Sequence, residues 1–248
     1  AVNDAPVLTA PGPIAVTEDT VAAISRISVA HIDVGAGLVT VTLAVPSGSL
    51  SALSGSGVTV GGTAAALTLT GTLADINTFL GGSNVTYAPD LNNSTDVNLT
   101  VTVNDKGNTG SGGAKTDSAV VTLDLQAVND APVVAAPASI IVTEDVASNI
   151  TGISFSDVDA GTGIVTVTLS VTTGTLAAAT GGGVTFAGSG TGSVTLTGTV
   201  AAINSFISSG NVDYTTAADD TTAQTLTVSI DDGGNTGSGG PKTDTETV

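Results

Sequence analysis

Acidic side chains at three separate points in the second half of the sequence can together bind a cation. They are Asn129–Asp130, Asp157–Asp159 with one residue between the carboxylates, and the adjacent pair Asp231–Asp232. Several carboxylates held within a few ångströms repel one another strongly unless a cation lies among them. If the chain brings these segments together, the residues are candidate metal ligands.

The residue types favour calcium over other metals. Ca²⁺ takes six to eight oxygen ligands from carboxylates, amide carbonyls and backbone, whereas Mg²⁺ demands a tighter octahedron. Zn²⁺ prefers His or Cys, and the sequence has one histidine, His31, and no cysteine. The alternative is that these are ordinary solvated loop acids, because Asp is common in turns.

The charge balance excludes several kinds of partner. The 248 residues include 22 acidic and 4 basic ones, for a net charge of −18. Neutralising phosphates requires clustered Lys and Arg, so nucleic acid and anionic membrane surfaces are not expected partners. No apolar run reaches the roughly 18 residues that span a bilayer. Without cysteine there are no disulfides, and rigidity must come from packing or bound ions.

A long internal repeat predicts two domains. Three segments recur after 126 or 127 residues: Ala1–Val7 as Ala127–Val133, Val16–Asp19 as Val142–Asp145, and Gly107–Gly113 as Gly234–Gly240. A period this long is one domain per repeat rather than a solenoid unit. We expect domains at residues 1–126 and 127–248, with the last strand of the second truncated, as in a fragment of a longer protein.

Alternating apolar residues predict short strands. In the first repeat they cover Ile14–Val16, Val21–Val29, Leu38–Val45, Val58–Val60, Ala66–Thr70, Val85–Ala88, Val97–Val103 and Ser118–Leu125. Leu73–Leu80 and its counterpart Val200–Ile207 have helical spacing instead, and the first is followed by Gly81–Gly82. The predicted fold is all-β: two tandem Greek-key, immunoglobulin/cadherin-like β-sandwiches, each with one short helix that covers an open end.

Such a fold gathers the acidic segments at one end of each domain. The incoming linker, the loop after the second predicted strand and the loop after Asp231–Asp232 all lie at this end, which we call the linker pole. Glu18, in the turn after the first predicted strand, points at the same junction from the first domain. Glu144 is its counterpart for a following junction, and Asp90 and Asp96 can also reach the junction.

Four of these motifs together resemble a known family. The linker Val-Asn-Asp-Ala-Pro-Val, the Thr-Glu-Asp turn, Asp157-x-Asp159 and Asp231-Asp232-Gly233 are similar to the cadherin-like repeats of giant bacterial RTX-type adhesins secreted by type I systems. The resemblance implies Ca²⁺ between stacked sandwiches and an extracellular location on the bacterial cell surface. The ligands it implies are Glu18, Asn129, Asp130, Asp157, Asp159, Asp231 and Asp232.

The first repeat departs from this pattern. His31 stands where the second repeat has Asp157, and Asn104 stands where it has Asp231. The pole keeps Asn3, Asp4, Asp33 and Asp105, but Lys106 lies beside them. We therefore predict a full site at the junction and a weaker or vacant one at the first linker pole, with His31 as a surface loop residue rather than a ligand.

A second ion can be placed in the glycine-rich loops. Asp117 and Asp244 begin the last predicted strand of each repeat, across this loop from Asp105 and Asp232, and Asn108 and Asn235 lie within it. The spacing does not match the EF-hand pattern. A phosphate cradle is excluded, because the loop does not open a helix.

The expected function is structural. The resemblance implies a calcium-rigidified extender module that contacts neighbouring repeats of its own chain and projects a distal binding domain toward other cells or surfaces, for cell adhesion or biofilm formation. The alternative is an adhesive module for a glycan, ice or a like module, on threonine rows such as Thr40–Thr42. We do not expect an enzyme, because no nucleophile–base arrangement and no apolar pocket around an acid is visible.

Overall fold

The computed structural model describes residues 1–108 and 110–248, which form two compact units, Ala1–Ala127 (unit 1) and Val128–Val248 (unit 2). Each unit is built of short β-strands with one short helix. Thr109, which belongs to the glycine-rich repeat, lies outside the described residues.

Unit 1 is a Greek-key sandwich. Its elements are β1 Val7–Thr9, β2 Ile14–Thr17, β3 Ala22–Ile24, β4 Ser28–Ala30, β5 Leu38–Ala44, β6 Ser49–Ser51, β7 Thr59–Thr63, β8 Ala66–Thr72, α1 Leu73–Gly81, β9 Val85–Ala88, β10 Val97–Asn104 and β11 Thr116–Gln126. One sheet has the strand order β2-β11-β10-β5-β8-β7, and the strand sets β3-β9-β6 and β1-β4 lie opposite it. This is the immunoglobulin-like arrangement that the sequence predicts.

The core of unit 1 follows from strand alternation. Val39, Val41 and Leu43 of β5 are fully buried, whereas the intervening threonines are half-buried. The opposite sheet contributes side chains such as Ile24 and Tyr87 to the same cluster. Since each buried aliphatic side chain contributes about 1.5–3 kcal/mol, this row of alternate residues holds the two sheets together.

The chain crosses between the two sheets near its start. β1 pairs antiparallel with β4, and β2 then pairs parallel with β11, Ile14 opposite Leu123 and Thr17 opposite Gln126. Pro11 and Pro13 lie in the crossing segment, where a residue without an N–H donor removes no ladder hydrogen bond.

Unit 2 repeats most of this plan. Its elements are β12 Val133–Ala135, β13 Ser148–Asn149, β14 Ser154–Ser156, β15 Val165–Val171, β16 Thr175–Ala178, β17 Thr185–Ala187, β18 Ser193–Gly198, α2 Val200–Ser208, β19 Val212–Thr215, β20 Leu226–Asp231 and β21 Thr243–Thr247. The sheets have the orders β17-β18-β15-β20-β21, β13-β19-β16 and β12-β14. Residues 140–143, at the position of β2, are not a strand.

Two predictions about the strands were incomplete. The predicted strand Val21–Val29 is broken into β3 and β4, because Arg26 adopts a left-handed φ of 63°, outside the β region. β1 and β6 were not predicted, since three residues are too short for alternation to be recognised. The two helices are confirmed within one residue, and Thr72 and Thr199 cap their N-termini. Neither helix among the described residues is long and apolar enough to cross a membrane.

Candidate metal centres

The linker pole of unit 2 brings together the three acidic segments within that unit. The Asn129 Nδ2 donates to Asp232 Oδ2 at 2.6 Å, and the Asp130 N–H donates to Asp159 Oδ2. The Thr236 hydroxyl of the glycine-rich loop donates to the Asp159 carbonyl at 2.8 Å. The linker, the loop after β14 and the loop after β20 are therefore linked directly, as the predicted topology requires.

Asp232 is the buried centre of this arrangement, at 1 % exposure. Its Oδ1 accepts the N–H groups of Gly234 at 2.7 Å and Lys242 at 2.8 Å, while Oδ2 faces Asn129. Burial alone would raise the pKa of Asp232, but these hydrogen bonds and the nearby Lys242 charge lower it below the ordinary value. The carboxylate is therefore ionised at neutral pH and holds both ends of the loop.

Asp231 lies differently from its neighbour. It is exposed on the outer face of β20, and its Oδ1 accepts the Gly233 N–H at 2.8 Å. Strand alternation explains this, because Ile230 and Asp232 face inward and the residue between them faces outward. The sequence did not distinguish the two carboxylates, and the ligand role of Asp231 stays a prediction.

Unit 1 has the same pair of buried residues at its linker pole. The Asn3 Nδ2 donates to Asp105 Oδ2 at 2.7 Å and to the Gly113 carbonyl at 2.9 Å. Asp105 Oδ1 accepts the N–H groups of Gly107 and Lys115 at 2.8 and 2.7 Å. Burial opposes ionisation of Asp105, yet these hydrogen bonds together hold its pKa well below the usual range.

His31 corrects one prediction. Its side chain is fully buried rather than in a surface loop, and Nε2 lies 3.1 Å from Asp105 Oδ2. Its Nδ1 accepts the Asp33 N–H at 3.0 Å, so the proton of the neutral ring is on Nε2. In unit 2, Asp157 Oδ1 accepts the Asp159 N–H at 2.8 Å in the same way. The imidazole therefore replaces the loop-closing acceptor that Asp157 provides.

The remaining residues of this pole make the same hydrogen bonds as their counterparts in unit 2. The Asp4 N–H donates to Asp33 Oδ2 at 2.7 Å, as Asp130 does to Asp159. Asn104 Oδ1 accepts the Lys106 N–H at 2.8 Å, as Asp231 does from Gly233. The substitutions between the repeats therefore preserve the loop geometry while removing two negative charges from unit 1.

Two buried oxygen atoms at these poles have no hydrogen-bond partner among the described residues: Asn3 Oδ1 in unit 1 and Asp157 Oδ2 in unit 2. The Asn3 amide is fixed by two acceptors at its nitrogen, so its oxygen must face the other way. Leaving a buried acceptor unsatisfied costs about 1–3 kcal/mol. Carboxylate and amide oxygens are the ligands of Ca²⁺, so both atoms fit a bound cation.

Asp117 and Asp244 each contact the first strand of their own unit. Oδ2 of Asp117 accepts the Leu8 N–H, and Oδ2 of Asp244 accepts the Val134 N–H, both at 2.8 Å. Each carboxylate thus joins the first strand of its unit to the last strand. Asn108 likewise binds the Leu38 and Asp105 carbonyls through Nδ2. These contacts give the residues structural roles, and an ion in the glycine-rich loop stays a prediction.

The opposite pole carries the turn after β2 and its counterpart. Glu18 is 2 % exposed, and its N–H donates to the Gln126 carbonyl at 3.0 Å. Asp19 Oδ1 accepts the Asn92 N–H at 2.8 Å, which ties the turn to the loop before β10. Asp90 and Asp96 accept the N–H groups of Gly48 and Leu125, so they hold that loop in place.

In unit 2 this pole has an exposed acidic group. Within residues 1–108 and 110–248, Glu144, Asp145 and Asp219 are the one set of three metal-binding side chains with ligand atoms within 4.8 Å of one another. Sequence reasoning named Glu144 but missed Asp145 and Asp219. Asp219 takes the place of Asn92, and both have a left-handed φ, of 56° and 55°. The linker-pole carboxylates are not within this distance in threes, and several of them accept N–H groups of their own loop or of the linker.

Comparisons with known proteins return matches among solved structures. No family model matches the chain, and no curated protein matches it. Among solved structures, a protocadherin gammaB7 EC3-6 cis-dimer has 18 % identity and a TM-score of 0.42, over 98 % of this chain and 50 % of that one. Mouse cadherin-23 EC22-24 has 16 % identity and a TM-score of 0.45, over 99 % and 65 %. The chain thus spans half to two thirds of their lengths.

Proposed function

We propose that the chain is a pair of extracellular adhesion repeats whose sandwiches are stabilised by Ca²⁺ at their linker poles, and that it works as a stiff spacer in a bacterial surface adhesin. The observation that carries the proposal is the buried, unpartnered Asp157 Oδ2 beside the linker and two acidic loops. The bacterial source and the spacer role rest on the sequence resemblance.

The residues that would hold the ion in unit 2 lie on three segments. Asp130 and Asn129 come from the linker, Asp157 and Asp159 from the loop after β14, and Asp232 from the loop after β20. Bound Ca²⁺ supplies positive charge that offsets the repulsion among these carboxylates. This chain's own hydrogen bonds already bring the three segments together, and the carboxylates must turn toward the ion to bind it.

The natural difference between the repeats provides a matched pair of variants. Asp157→His in unit 2 should abolish calcium binding there, because it removes the unpartnered oxygen and one charge. His31→Asp in unit 1 should create or strengthen a site. Calorimetric titration of the full 248-residue chain is expected to show one bound ion fewer for Asp157→His. For His31→Asp it is expected to show one ion that binds more tightly than in the parent.

Thermal melts with calcium and with chelator detect calcium binding through the stability that the bound ion adds. Sites in extracellular modules have dissociation constants of about 10⁻⁴ to 10⁻³ M, so calcium must be supplied at high millimolar concentration. At a hundredfold excess over the dissociation constant, each site adds about 2.7 kcal/mol. Mg²⁺ at equal ionic strength is the control. Equal melting midpoints in calcium, magnesium and chelator would contradict the proposal.

A ligand-binding module is the second candidate, favoured by the outer face of the six-stranded sheet. Two rows of small polar residues cross β7, β8, β5, β10 and β11 in register: Thr59, Thr70, Thr40, Asn104, Thr116, and Gly61, Thr68, Thr42, Thr102, Ser118. Adjacent strands twist by about 20–25°, so such rows suit a flexible glycan better than a flat crystal. The aromatic residues Tyr87, Phe79, Phe155, Phe206 and Tyr214 are buried and offer no stacking platform.

A glycan array probed with the chain tests this second candidate. Binding that is lost in Thr42→Lys, with the melting temperature unchanged, would support a glycan site on these rows. Thr63→Lys, at the edge of the same sheet, is the control. If the chain binds no glycan on the array, or if both variants bind equally, this face is ruled out as a glycan site.

A further inference from the structure

Two adjacent side chains join the glycine-rich loop of unit 2 to the loop after β14. Nδ2 of Asn235 donates one hydrogen to the Ile164 carbonyl at 2.8 Å and the other to the Asp232 carbonyl. The Thr236 hydroxyl donates to the Asp159 carbonyl at 2.8 Å. The two side chains therefore bind both ends of one turn, and Asn235 ties that turn to the residue that follows β20.

The turn that Asn235 holds begins on a candidate ligand. Oδ1 of Asp157 accepts the Ala160 N–H at 2.9 Å, and the Ala160 carbonyl accepts the Gly163 N–H. The contacts thus run from the Asp157 carboxylate through the turn to Asn235, and from there to Asp232. Asp157 and Asp232 are the two carboxylates whose segments must stay at a fixed distance if one ion is to contact both.

Gly163 shows how closely the asparagine approaches this turn. A Cβ on this residue would lie 2.6 Å from Asn235 Cγ and 2.8 Å from the Ala160 carbonyl oxygen, well inside the roughly 3.5–4 Å of van der Waals contact. In unit 1, Asn108 donates to two carbonyls in the same way, and a Cβ on Gly37 would lie 2.8 Å from Asn108 Cβ. Neither glycine has a positive φ, so close approach rather than backbone conformation favours glycine at both positions.

We propose that Asn235 is a positioning residue for the cation site of unit 2. This role rests on the calcium site proposed above and assigns one of the groups that set its affinity. Asn235 is itself exposed and acts through the carbonyls of Ile164 and Asp232, so it holds the loops of Asp157 and Asp232 together before the ion binds. Groups that orient metal ligands from outside the coordination sphere change metal affinity by about 10- to 100-fold.

Calorimetric titration of the full chain with Ca²⁺ compares Asn235→Ala with the parent. We expect the ion of unit 2 to bind about tenfold more weakly, while the urea midpoint in chelator changes little because the side chain is exposed. In the Asp157→His background, which lacks that ion, Asn235→Ala should have no further effect on calcium binding.

Asn235→Asp separates a positioning role from direct ligation. If residue 235 binds an ion itself, the added carboxylate should strengthen calcium binding. If its amide hydrogens hold the two loops, the variant should bind calcium more weakly than the parent, because a carboxylate donates to neither carbonyl.

Amide hydrogen exchange in chelator tests the same residue without an ion. Asn235→Ala should speed exchange of the Gly163 N–H several-fold, because the turn that this group closes is no longer held. Asn108→Ala is the matched control, which should speed exchange at Gly37 and leave Gly163 unchanged.

Unchanged exchange at Gly163, unchanged calcium affinity of Asn235→Ala, or tighter binding by Asn235→Asp would overturn the positioning role while leaving the calcium site intact. A parent chain that binds no calcium would overturn both proposals, so the two failures can be told apart.

Discussion

Single residues at the linker poles show how one hydrogen-bonding scheme survives a change of side chain. His31 in unit 1 and Asp157 in unit 2 both accept a backbone N–H from the second residue after them. The imidazole Nε2 also lies 3.1 Å from Asp105 Oδ2. The first repeat therefore keeps its loop closed with a neutral ring where the second keeps a carboxylate oxygen available.

Asp105→Asn should destabilise unit 1 by about 2–3 kcal/mol at neutral pH, because buried N–H groups lose a charged acceptor. The pKa of Asp105 is lowered in the folded state, so its contribution is fully present above the unfolded value of about 4 and is lost as pH falls toward the folded value. Urea unfolding from pH 7 to pH 2.5 should show the gap between variant and parent narrowing below about pH 4. The exposed Glu246→Gln is the control, and a gap constant with pH would contradict the assignment.

Arg26 interrupts the predicted second strand in a left-handed conformation, and Gly152 occupies the matched position in unit 2 with φ 81°. A side chain in this region costs about 1–2 kcal/mol. Arg26→Gly should therefore stabilise unit 1 by about 0.5–1 kcal/mol after the entropy of glycine is subtracted. Arg26→Ala keeps the strain and should give no gain. Equal denaturation midpoints for both variants would show that the left-handed φ of residue 26 does not destabilise unit 1.

At the scale of elements, each short helix is joined to a strand edge by one asparagine. Asn77 of α1 accepts the Val29 N–H and donates to the Val29 carbonyl, both at 2.8 Å, and Asn204 of α2 does the same with Phe155. The side-chain amide thus replaces a neighbouring strand for that residue. The helix does more than cover an open end, which was the role that its apolar spacing predicted.

Asn77→Ala should cost about 2–3 kcal/mol, since two partly buried backbone groups of Val29 lose their partners. Thr78→Ala on the same helix removes only an exposed hydroxyl bonded to the Ala74 carbonyl and should cost less than about 0.5 kcal/mol. Chemical denaturation of both variants checks the difference. If Asn77→Ala lowers the free energy of unfolding by no more than Thr78→Ala does, water forms equally good hydrogen bonds with the Val29 N–H and carbonyl.

The sequence predicted elements well where a period was long enough to see. β5, β9 and β10 follow their alternation within one residue, and the helices follow their apolar spacing. β1 and β6 were not predicted, because three residues are too few to show a period. At the site, alternation and topology placed the loops together, but the left-handed turns at Asp145 and Asp219 and the burial of His31 depend on tertiary contacts that no local pattern contains.

At the scale of the molecule, the two units have separate hydrophobic cores and separate sheets. We expect a calorimetric scan of the full chain to show two transitions, one for each unit.

The two transitions can be assigned without separating the units. Asn77→Ala should move only the transition of unit 1, and Asn204→Ala only the transition of unit 2. Tyr87 and Tyr214, one buried in each unit in a chain without tryptophan, provide separate fluorescence signals when either is replaced by Phe. A single transition that both alanine variants shift equally would show that the units unfold together.

The parallel pairing of β2 with β11 also determines how unit 1 responds to a pulling force. A pull through the two ends of the unit draws these strands in opposite directions along their length, so the pairs from Ile14–Leu123 to Thr17–Gln126 are loaded together in shear. Strands loaded in this way must break their bonds at once, whereas strands peeled from one end release them singly. Unit 1 should therefore resist a high force in a single-molecule pulling experiment.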